Sequence, residues 1–308
     1  MNIQHPDIVV RHVRTKNKIR KIVAYRSDDG DLRNYHRNIN AFLRERFAPS
    51  IFAKGYVKGR SIYHNALSHM YNDYFIMLDI KDFFPNICHT QLSRKIYFEI
   101  NLLKPDQISK KECNDIVEAC SISSRGIPLG FVTSPILSNI YLKEFDNVFY
   151  GMLKKIGLDN AIYTRYADDM TISFRRAENT EPLDEKAIII EFASSILSRY
   201  GLQLNQKKTR SYSLNISNHV RVTGVNITKQ ESGQRKLTVG RSIKNQLYWD
   251  ALNCFWEKDS EKIQHVKGMQ SFILSIEKNG FEKCYSSAML AHVHELGFDS
   301  LKSLIDSL

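Results

Sequence analysis

The sequence predicts an α+β fold in which strands and helices are mixed up to about residue 228 and helices follow. The stretch from Tyr74 to Ile80 is a strongly apolar run with the length of a buried strand. Two further strand-like runs, AIYTRY and MTISF, are separated by three residues and predict an antiparallel hairpin. After residue 240 the spacing is mostly helical, with breaks near Asp259, Gly280 and Gly297.

The front of the chain predicts a strand or hairpin arm over residues 17–26, followed by a turn at DDGD. Residues 31–47 and 61–72 predict helices. The residues expected near the buried face of the first helix are Leu32, Tyr35, Ile39, Phe42 and Leu43.

A longer helix is predicted over residues 134–155, because Ser134 and Pro135 form a helix-start pair. Its expected buried side comprises Ile140, Phe145, Val148 and Leu153. Residues 184–200 predict a helix that Gly201 ends, and residues 220–228 predict a strand pair. We therefore expect a subdomain boundary near residue 229.

The charge distribution indicates a polyanionic partner. The 308-residue chain has a net charge of +11, and residues 1–70 hold 14 Lys and Arg against 5 Asp and Glu. Nucleic acid is the usual partner of such a surface, and a solvated basic face without a ligand is the alternative.

Cysteine usage and hydropathy indicate the compartment. The five cysteines are scattered and form no C-x-x-C pair, so we expect a reducing cytosol and neither a zinc site nor a disulfide framework. The first residues lack the apolar core of a signal peptide, and no run approaches a membrane span.

Three aspartates form the candidate catalytic set. Asp79 lies near the end of the apolar YFIMLDI strand, where an unpaired carboxylate is costly unless something binds it. Asp168 and Asp169 lie at the predicted hairpin tip. Magnesium prefers hard oxygen ligands, and two such ions can activate a 3′-hydroxyl and stabilise a leaving pyrophosphate. Asp82 could reach a metal, but a structural cap is the favoured interpretation.

Five sequence blocks carry a family resemblance. In chain order they are LDIKDFFPNI, GIPLGFVTSPILSNIYL, TRYADDMTISF, GLQLNQKKT and RVTGVNIT. Together they resemble the successive palm motifs of reverse transcriptases. The blocks GYVKGRSI, NALSH and HVKGMQSFILSIE, together with the Val-Thr-Gly triplet at 222–224, resemble the retron branch of that family.

The resemblance implies a right-hand polymerase. We expect fingers over residues 1–72 with a further part near 94–124. The palm, a small antiparallel sheet packed on helices, is expected over 73–93 and 125–228. A helical thumb is expected over 229–308.

The resemblance also implies residue roles. Asp79, Asp168 and Asp169 match the catalytic aspartates that bind two Mg²⁺ ions. Phe84 matches the aromatic gate that excludes a 2′-hydroxyl on the incoming nucleotide, with a core Phe as the alternative. The basic finger positions that hold the triphosphate are matched by Lys18, Arg20 and Arg60.

Two further roles and one departure follow from the same match. Lys208 matches a lysine that can protonate departing pyrophosphate, and Tyr166 is expected beside the primer end, with a core Tyr as the alternative. Reverse transcriptases usually carry Pro-Gln-Gly in the middle motif, whereas this chain has Leu129 between Pro128 and Gly130. A Gln could hydrogen-bond near the incoming nucleotide at that position, whereas Leu129 cannot.

The retron-like residues have two interpretations each. Asn65 and His69 are four residues apart and share a helix face, which serves either structural support or RNA contact. The triplet Val222, Thr223 and Gly224 is expected beside the primer, although Gly224 could only permit a close strand approach.

The start of the helical region offers a basic face with aromatic residues. Arg241, Lys244 and Tyr248 are spaced three and four apart, which suits contact with RNA stems and loops. Core packing of Tyr248 and Trp249 is the alternative.

The implied function is that of a retron enzyme. It would bind a structured non-coding RNA, prime from a 2′-hydroxyl, use dNTPs and leave a short single-stranded DNA joined to RNA. A separate effector protein and a role in antiphage defence in the bacterial cytoplasm are expected. Another bacterial reverse transcriptase, of group II intron or abortive-infection type, and an RNA-binding scaffold with a vestigial site are the alternatives.

Overall fold

The computed structural model describes residues 6–15, 18–175 and 185–308, and the side chains of residues 15 and 18–21 are outside its description. The strands are β1 (Ile8–Thr15), β2 (Lys18–Tyr25), β3 (Tyr74–Asp79), β4 (Asp159–Tyr166), β5 (Asp169–Arg175), β6 (Arg210–Ser213), β7 (His219–Val222), β8 (Val225–Lys229) and β9 (Arg235–Thr238). The helices are α1 (Asp31–Arg46), α2 (Ile62–Ser68), α3 (Phe83–Asn86), α4 (His89–Asn101), α5 (Lys110–Ala119), α6 (Ser134–Lys155), α7 (Glu185–Arg199), α8 (Leu214–Ser217), α9 (Arg241–Glu257), α10 (Ser260–Ile276), α11 (Ser287–Glu295) and α12 (Leu301–Ser307).

These elements form two compact units. The first comprises Met1–Arg60 with Tyr74–Ser211, and the second comprises Ser61–Asp73 with Tyr212–Leu308. This division into two compact units does not define fingers, palm or thumb, so the predicted boundaries of those subdomains stay predictions.

The first unit begins with an antiparallel hairpin of β1 and β2, in which Ile8 pairs with Tyr25. Strand β2 and helix α1 were predicted, whereas β1 was not. On α1, Leu43 and Ile39 are buried as expected, but Tyr35 is 53% exposed. His36 occupies the buried position instead, so the predicted face was wrong by one residue.

The central sheet of the first unit has the strand order β4-β5-β3-β6. Strands β3 and β5 are antiparallel, as are β4 and β5, so the predicted strand and hairpin are confirmed. Residues Met170 to Phe174 are all buried, because both faces of β5 are covered. The ends of β3 and β5 that carry aspartates therefore rest on a well-packed base.

Helix α6 is the central helix of this core. Ile140, Phe145 and Leu153 are buried as predicted, whereas Val148 is 39% exposed and Phe149 is buried in its place. Helix α7 ends at Arg199, and Gly201 follows with a φ of +65°, as expected for a residue after a helix.

The second unit combines a three-stranded sheet, β7-β8-β9, with helices. The strand pair predicted over 220–228 is confirmed, while β9 was missed. The helix predicted over residues 61–72 is shorter in the structure, where α2 spans Ile62–Ser68, and the predicted helical region after Gly240 is confirmed. In the described ranges, no helix is both long and apolar enough to span a lipid bilayer.

Candidate active site

The three candidate aspartates meet at one end of the central sheet. Asp79 is the last residue of β3 and pairs with Asp169, the first residue of β5. Asp169 also pairs with Tyr166 across the hairpin, which leaves only Ala167 and Asp168 in the turn. The amide of Ile80 donates to the Asp168 carbonyl at 3.1 Å and ties the turn to β3. Strand register thus brings together carboxylates that are 90 residues apart in the chain.

The carboxylates strongly influence one another. Reduced access of water and the negative charges of Asp168 and Asp79 together raise the pKa of Asp169 to about 6. Asp79 is 4% exposed, and its Oδ2 accepts a hydrogen bond from Lys208 Nζ at 2.6 Å. That hydrogen bond raises the pKa of Lys208, so its ammonium remains charged at neutral pH.

Backbone contacts place Lys208 beside Asp79. The amide of Asn205 donates to the Asp79 carbonyl at 2.8 Å, and the amide of Lys208 donates to the Asn205 carbonyl at 3.0 Å. The segment around QKKT therefore lies along the end of β3. The proton-donor role of Lys208 stays a prediction.

The donor set suits a hard divalent cation. Within the described residues, no three His, Cys, Asp or Glu side chains already stand at metal-ligating spacing. The carboxylates of Asp79, Asp168 and Asp169 are nevertheless close enough for their charges to repel, which a bound cation would relieve. The residues present therefore fit the divalent metal that the chemistry requires.

The raised pKa of Asp169 predicts a pH-dependent effect on stability. Because the folded pKa of about 6 lies above the unfolded value of 3.8, the folded state loses stability as pH rises between about 4 and 6. In chelator-containing buffer at pH 8, we expect Asp169→Asn to raise the free energy of unfolding by about 1 kcal/mol. This value is reduced for solvent screening, because Asp169 remains partly exposed although its carboxylate has reduced access to water.

Urea unfolding of both proteins at pH 8 and pH 4 measures this effect. The gain should be much smaller at pH 4, where Asp169 is protonated in the folded state and only about half ionised in the unfolded state, and this serves as the internal control. An Asp169→Asn variant that is less stable than the parent at pH 8 would contradict the electrostatic account.

A buried ion pair lies behind the turn and was missed at the sequence level. Arg165 on β4 and Asp146 on α6 are both 0% exposed, and Arg165 Nε lies 2.8 Å from Asp146 Oδ1. Arg165 falls within the TRYADD block, but its partner Asp146 lies 19 residues earlier, on a helix. A local sequence pattern does not identify a partner at that separation. The only local signal was a charged residue between buried strand positions.

The loop before α2 also reaches the turn. Tyr56 lies 6.4 Å from Tyr166 between ring centroids. Burial first, and then the charge of Asp168, raise the pKa of Tyr56. Tyr56 belongs to the GYVKGRSI block, which was noted as retron-like without a role for this residue.

Arg60 has structural contacts in the same loop. One guanidinium nitrogen, NH1, donates to the carbonyls of Ser50, Ile51 and Ala53 at 3.2, 3.0 and 2.6 Å. These contacts occupy NH1 and support the loop, and the predicted nucleotide-binding role of Arg60 stays a prediction. The side chains of Lys18 and Arg20 lie outside the described residues.

Three other positions singled out from the sequence are Phe84, Asp82 and Leu129. Phe84 on α3 is 7% exposed, and its ring meets Phe83 edge-on at 5.2 Å. Asp82 is the residue preceding α3, has a φ of +45°, and its side chain caps no helix amide. Leu129 is 41% exposed, while a Cβ at Gly130 would lie 2.0 Å from the Val23 carbonyl oxygen.

Comparison with known protein families provides the deciding observation. Residues 14–227 match the family described as reverse transcriptase (RNA-dependent DNA polymerase). The chain belongs to the reverse transcriptase family. The predicted enzyme class, RNA-directed DNA polymerase, and the right-hand polymerase fold are thereby confirmed.

Similar proteins include several retron reverse transcriptases, which confirms the predicted retron-type resemblance. Retron Ec86 reverse transcriptase of Escherichia coli is 28% identical over 241 residues, covering 78% of this chain and 68% of that protein. Retron Ec73 reverse transcriptase of Escherichia coli is 37% identical over 124 residues, or 39% of each chain. Retron Mx162 reverse transcriptase of Myxococcus xanthus is 25% identical over 260 residues, with 79% of this chain and 53% of that protein covered.

Among solved structures, telomerase from Candida albicans in complex with a fragment of telomeric RNA aligns with a TM-score of 0.48. The sequence identity is 12%, and the alignment covers 96% of this chain and 58% of telomerase.

Two retron-like motifs of this reverse transcriptase, NALSH and the Val-Thr-Gly triplet, meet in the second unit. Asn65 Nδ2 on α2 donates to Thr223 Oγ1 at 3.1 Å. Thr223 and Gly224, with φ of 44° and 92°, form the two-residue turn between β7 and β8. His69 is 0% exposed, which favours structural support over the alternative of RNA contact.

Two details correct the expectations for the Val-Thr-Gly triplet. Val222 is 0% exposed and belongs to the core, so its side chain is not available to a primer. A Cβ at Gly224 would meet nothing within 4 Å, so this glycine is required by its positive φ and not by a close strand approach.

Asn65 Oδ1 is buried and has no hydrogen-bond partner among the described residues.

The predicted RNA-binding face of α9 was wrong for two of its three residues. Lys244 is 7% exposed and its Nζ lies 3.0 Å from Glu277 Oε2. Tyr248 is 2% exposed and its hydroxyl donates to the Met289 carbonyl at 3.0 Å. Arg241 and Trp249 are exposed, so the core-packing alternative holds for Tyr248 but not for Trp249.

Proposed function

We propose that this reverse transcriptase is a retron enzyme that copies a structured non-coding RNA into a short single-stranded DNA, the msDNA, by two-metal nucleotidyl transfer. The observation that carries the proposal is the pairing of Asp79 with Asp169 at the strand ends, beside Asp168 in the turn. The similarity to a retron reverse transcriptase over 78% of the chain supports the retron assignment.

The three aspartates would hold two Mg²⁺ ions, which when bound favour loss of the proton from the primer 3′-hydroxyl and neutralise charge on the departing pyrophosphate. Asp79 is fixed by β3 and Asp169 by its strand partners, so the ligands are oriented before substrate arrives. The Lys208 ammonium, which lies 2.6 Å from Asp79, would donate a proton to the departing pyrophosphate.

Two aromatic residues are proposed to shape the nucleotide and primer positions. Phe84 is held among buried side chains, so its ring is a fixed wall that can exclude a 2′-hydroxyl and favour dNTPs. Tyr166 lies next to the turn and opposite Asp169, where it can pack against the primer end.

The cellular role proposed follows the retron resemblance. The enzyme primes from a 2′-hydroxyl of a guanosine in its own RNA and leaves DNA joined to RNA. It acts in the bacterial cytoplasm with a separate effector protein, in defence against phage. The bacterial origin of the retron relatives supports this setting.

The test is a denaturing gel of nucleic acid that co-purifies with the protein expressed from its native locus, run before and after RNase treatment. We expect a discrete short DNA whose mobility shifts after RNase, since removal of the RNA shortens a branched product. Primer extension on RNA without such a DNA would assign the enzyme to a group II intron or abortive-infection type. The absence of both would leave an RNA-binding scaffold with a vestigial site.

RNA binding is expected to depend steeply on salt. Residues 1–70 carry an excess of nine positive charges, and Arg11 and Arg14 on β1 are exposed. If about six phosphates are contacted, affinity should fall about 1,000-fold between 50 and 200 mM salt, because bound counterions are released. Filter binding of the cognate RNA across this range measures the slope, and an affinity unchanged by salt would contradict the electrostatic part of the proposal.

A further inference from the structure

The guanidinium of Arg165 lies within a closed hydrogen-bond network directly behind the catalytic turn. Its Nε and NH2 atoms donate to the two carboxylate oxygens of Asp146, each at 2.8 Å. The hydroxyl of Tyr163 donates to Asp146 Oδ1 at 2.8 Å. Both charges are fully buried, so the carboxylate and guanidinium depend on each other for compensation.

The remaining arm of the guanidinium reaches the turn itself. Arg165 NH1 donates to the Ala167 carbonyl at 3.1 Å and to Asn139 Oδ1 at 3.1 Å. Ala167 has a φ of +57°, a left-handed conformation that costs a residue with a Cβ and persists only where the surroundings hold it. The next residue along the chain is Asp168.

The loop before α2 closes the other side of the turn. The amide of Lys54 donates to the Arg165 carbonyl at 2.7 Å, and the amide of Arg165 donates to the Phe52 carbonyl at 2.9 Å. Asn139 Nδ2 donates to the Gly55 carbonyl at 3.0 Å. A Cβ on Gly55 would lie 2.8 Å from the Ala167 amide nitrogen, so loop backbone and turn are in direct contact.

We propose that Arg165 is a positioning residue of the polymerase, which fixes the conformation of the turn at Ala167 and thereby the positions of Asp168 and Asp169. Asp146 neutralises the guanidinium and orients it, so that NH1 is directed at the Ala167 carbonyl. A planar guanidinium can make the bidentate contact and the turn contact together, which a single ammonium cannot. The inference rests on the proposed metal-binding role of the two aspartates.

The experiment compares three variants with the parent protein. Arg165→Lys keeps the charge but not the geometry. The triple variant Asp146→Leu, Tyr163→Phe and Arg165→Met replaces the ion pair by apolar groups, an exchange that often leaves stability unchanged. Gly55→Ala perturbs the turn from the loop side and leaves the ion pair intact.

Two controls separate the possible causes. Glu99→Gln removes a partly buried ion pair between Glu99 and Lys143, and Lys143 lies on the same helix as Asp146. The double variant Asp168→Asn and Asp169→Asn reports whether metal binding depends on these aspartates at all.

The measurements are Mn²⁺ affinity by electron paramagnetic resonance, the Mg²⁺ concentration for half-maximal primer extension, and RNA affinity, each beside a thermal unfolding curve. For folded Arg165→Lys and triple variants we expect metal affinity to fall about 10- to 100-fold with RNA affinity unchanged, as for other residues that orient metal ligands. Gly55→Ala should show the same direction of change, and Glu99→Gln none.

A triple variant or Arg165→Lys variant that folds and binds Mn²⁺ like the parent would overturn the positioning role. If neither variant folds, unchanged Mn²⁺ affinity in folded Gly55→Ala would overturn it, and a reduced affinity would support it. Retention of Mn²⁺ binding by Asp168→Asn with Asp169→Asn would instead overturn the proposed metal site, so the two failures are distinguishable.

Discussion

Replacing both Asp168 and Asp169 by Asn is expected to reduce DNA synthesis by about 1,000-fold or more while RNA binding is retained. The two carboxylates stand at the turn beside Asp79, and without them the negative charge that builds on the phosphate has no organised counter-charge. Primer extension with dNTPs and Mg²⁺ on an RNA template measures the loss, and filter binding measures RNA affinity.

The matched control for this prediction is Asp159→Asn. Asp159 is exposed at the opposite end of the same strand pair, where it faces Arg175. It should retain full synthesis, because its carboxylate is remote from the turn. Undiminished synthesis by the double Asn variant would remove the metal-ligand assignment.

Asp146→Ala is expected to lower the free energy of unfolding by about 3–5 kcal/mol, because the Arg165 guanidinium would remain buried without its carboxylate. Tyr163 would also lose the acceptor of its buried hydroxyl. For a unit of this size, the loss corresponds to a fall of roughly 10 °C in the melting temperature. Calorimetry or urea unfolding measures it.

Glu144→Ala is the control, two residues earlier on α6. Glu144 pairs with Lys95 at 2.6 Å, but its side chain is 66% exposed, so the expected loss is below about 1 kcal/mol. If both variants lost the same free energy of unfolding, the buried ion pair of Asp146 would contribute no more to stability than the exposed ion pair of Glu144.

Local pattern was sufficient to predict the elements that carry the aspartates. The apolar run of β3 and the spacing of β4 and β5 gave the correct strands, because a buried strand needs a continuous apolar segment whatever surrounds it. The resemblance implied that the three aspartates form one set, but the pairing of Asp79 with Asp169 was not predicted, since register between distant strands is a long-range property.

The errors have a common physical origin. Helical spacing correctly placed Lys244 and Tyr248 on one face of α9, but periodicity does not reveal what covers a face. Glu277, more than 30 residues away, supplies the acceptor that allows Lys244 to be buried. Asp146 and Arg165 escaped prediction for the same reason, because each alone resembles an ordinary solvated charge.

On α1 and α6 the residue predicted to be buried was wrong by one position, because two neighbouring residues both suited the buried face. Tyr35 and His36, like Val148 and Phe149, differ by one helical step, and the apolar pattern tolerates either member. In the structure His36 hydrogen bonds to the Tyr25 hydroxyl at 2.7 Å and to the Ala119 carbonyl at 2.9 Å, partners that only the tertiary fold supplies.

The close approach of Gly130 to β2 has an evolutionary consequence. The backbone of the middle motif rests against the Val23 carbonyl with no room for a Cβ, whereas the neighbouring Leu129 side chain is exposed. Residue 129 can therefore change its chemistry over time without a compensating change elsewhere, while residue 130 is confined to glycine. A lineage could exchange Gln for Leu at this position by a single substitution, altering hydrogen-bonding capacity at the motif while conserving its backbone.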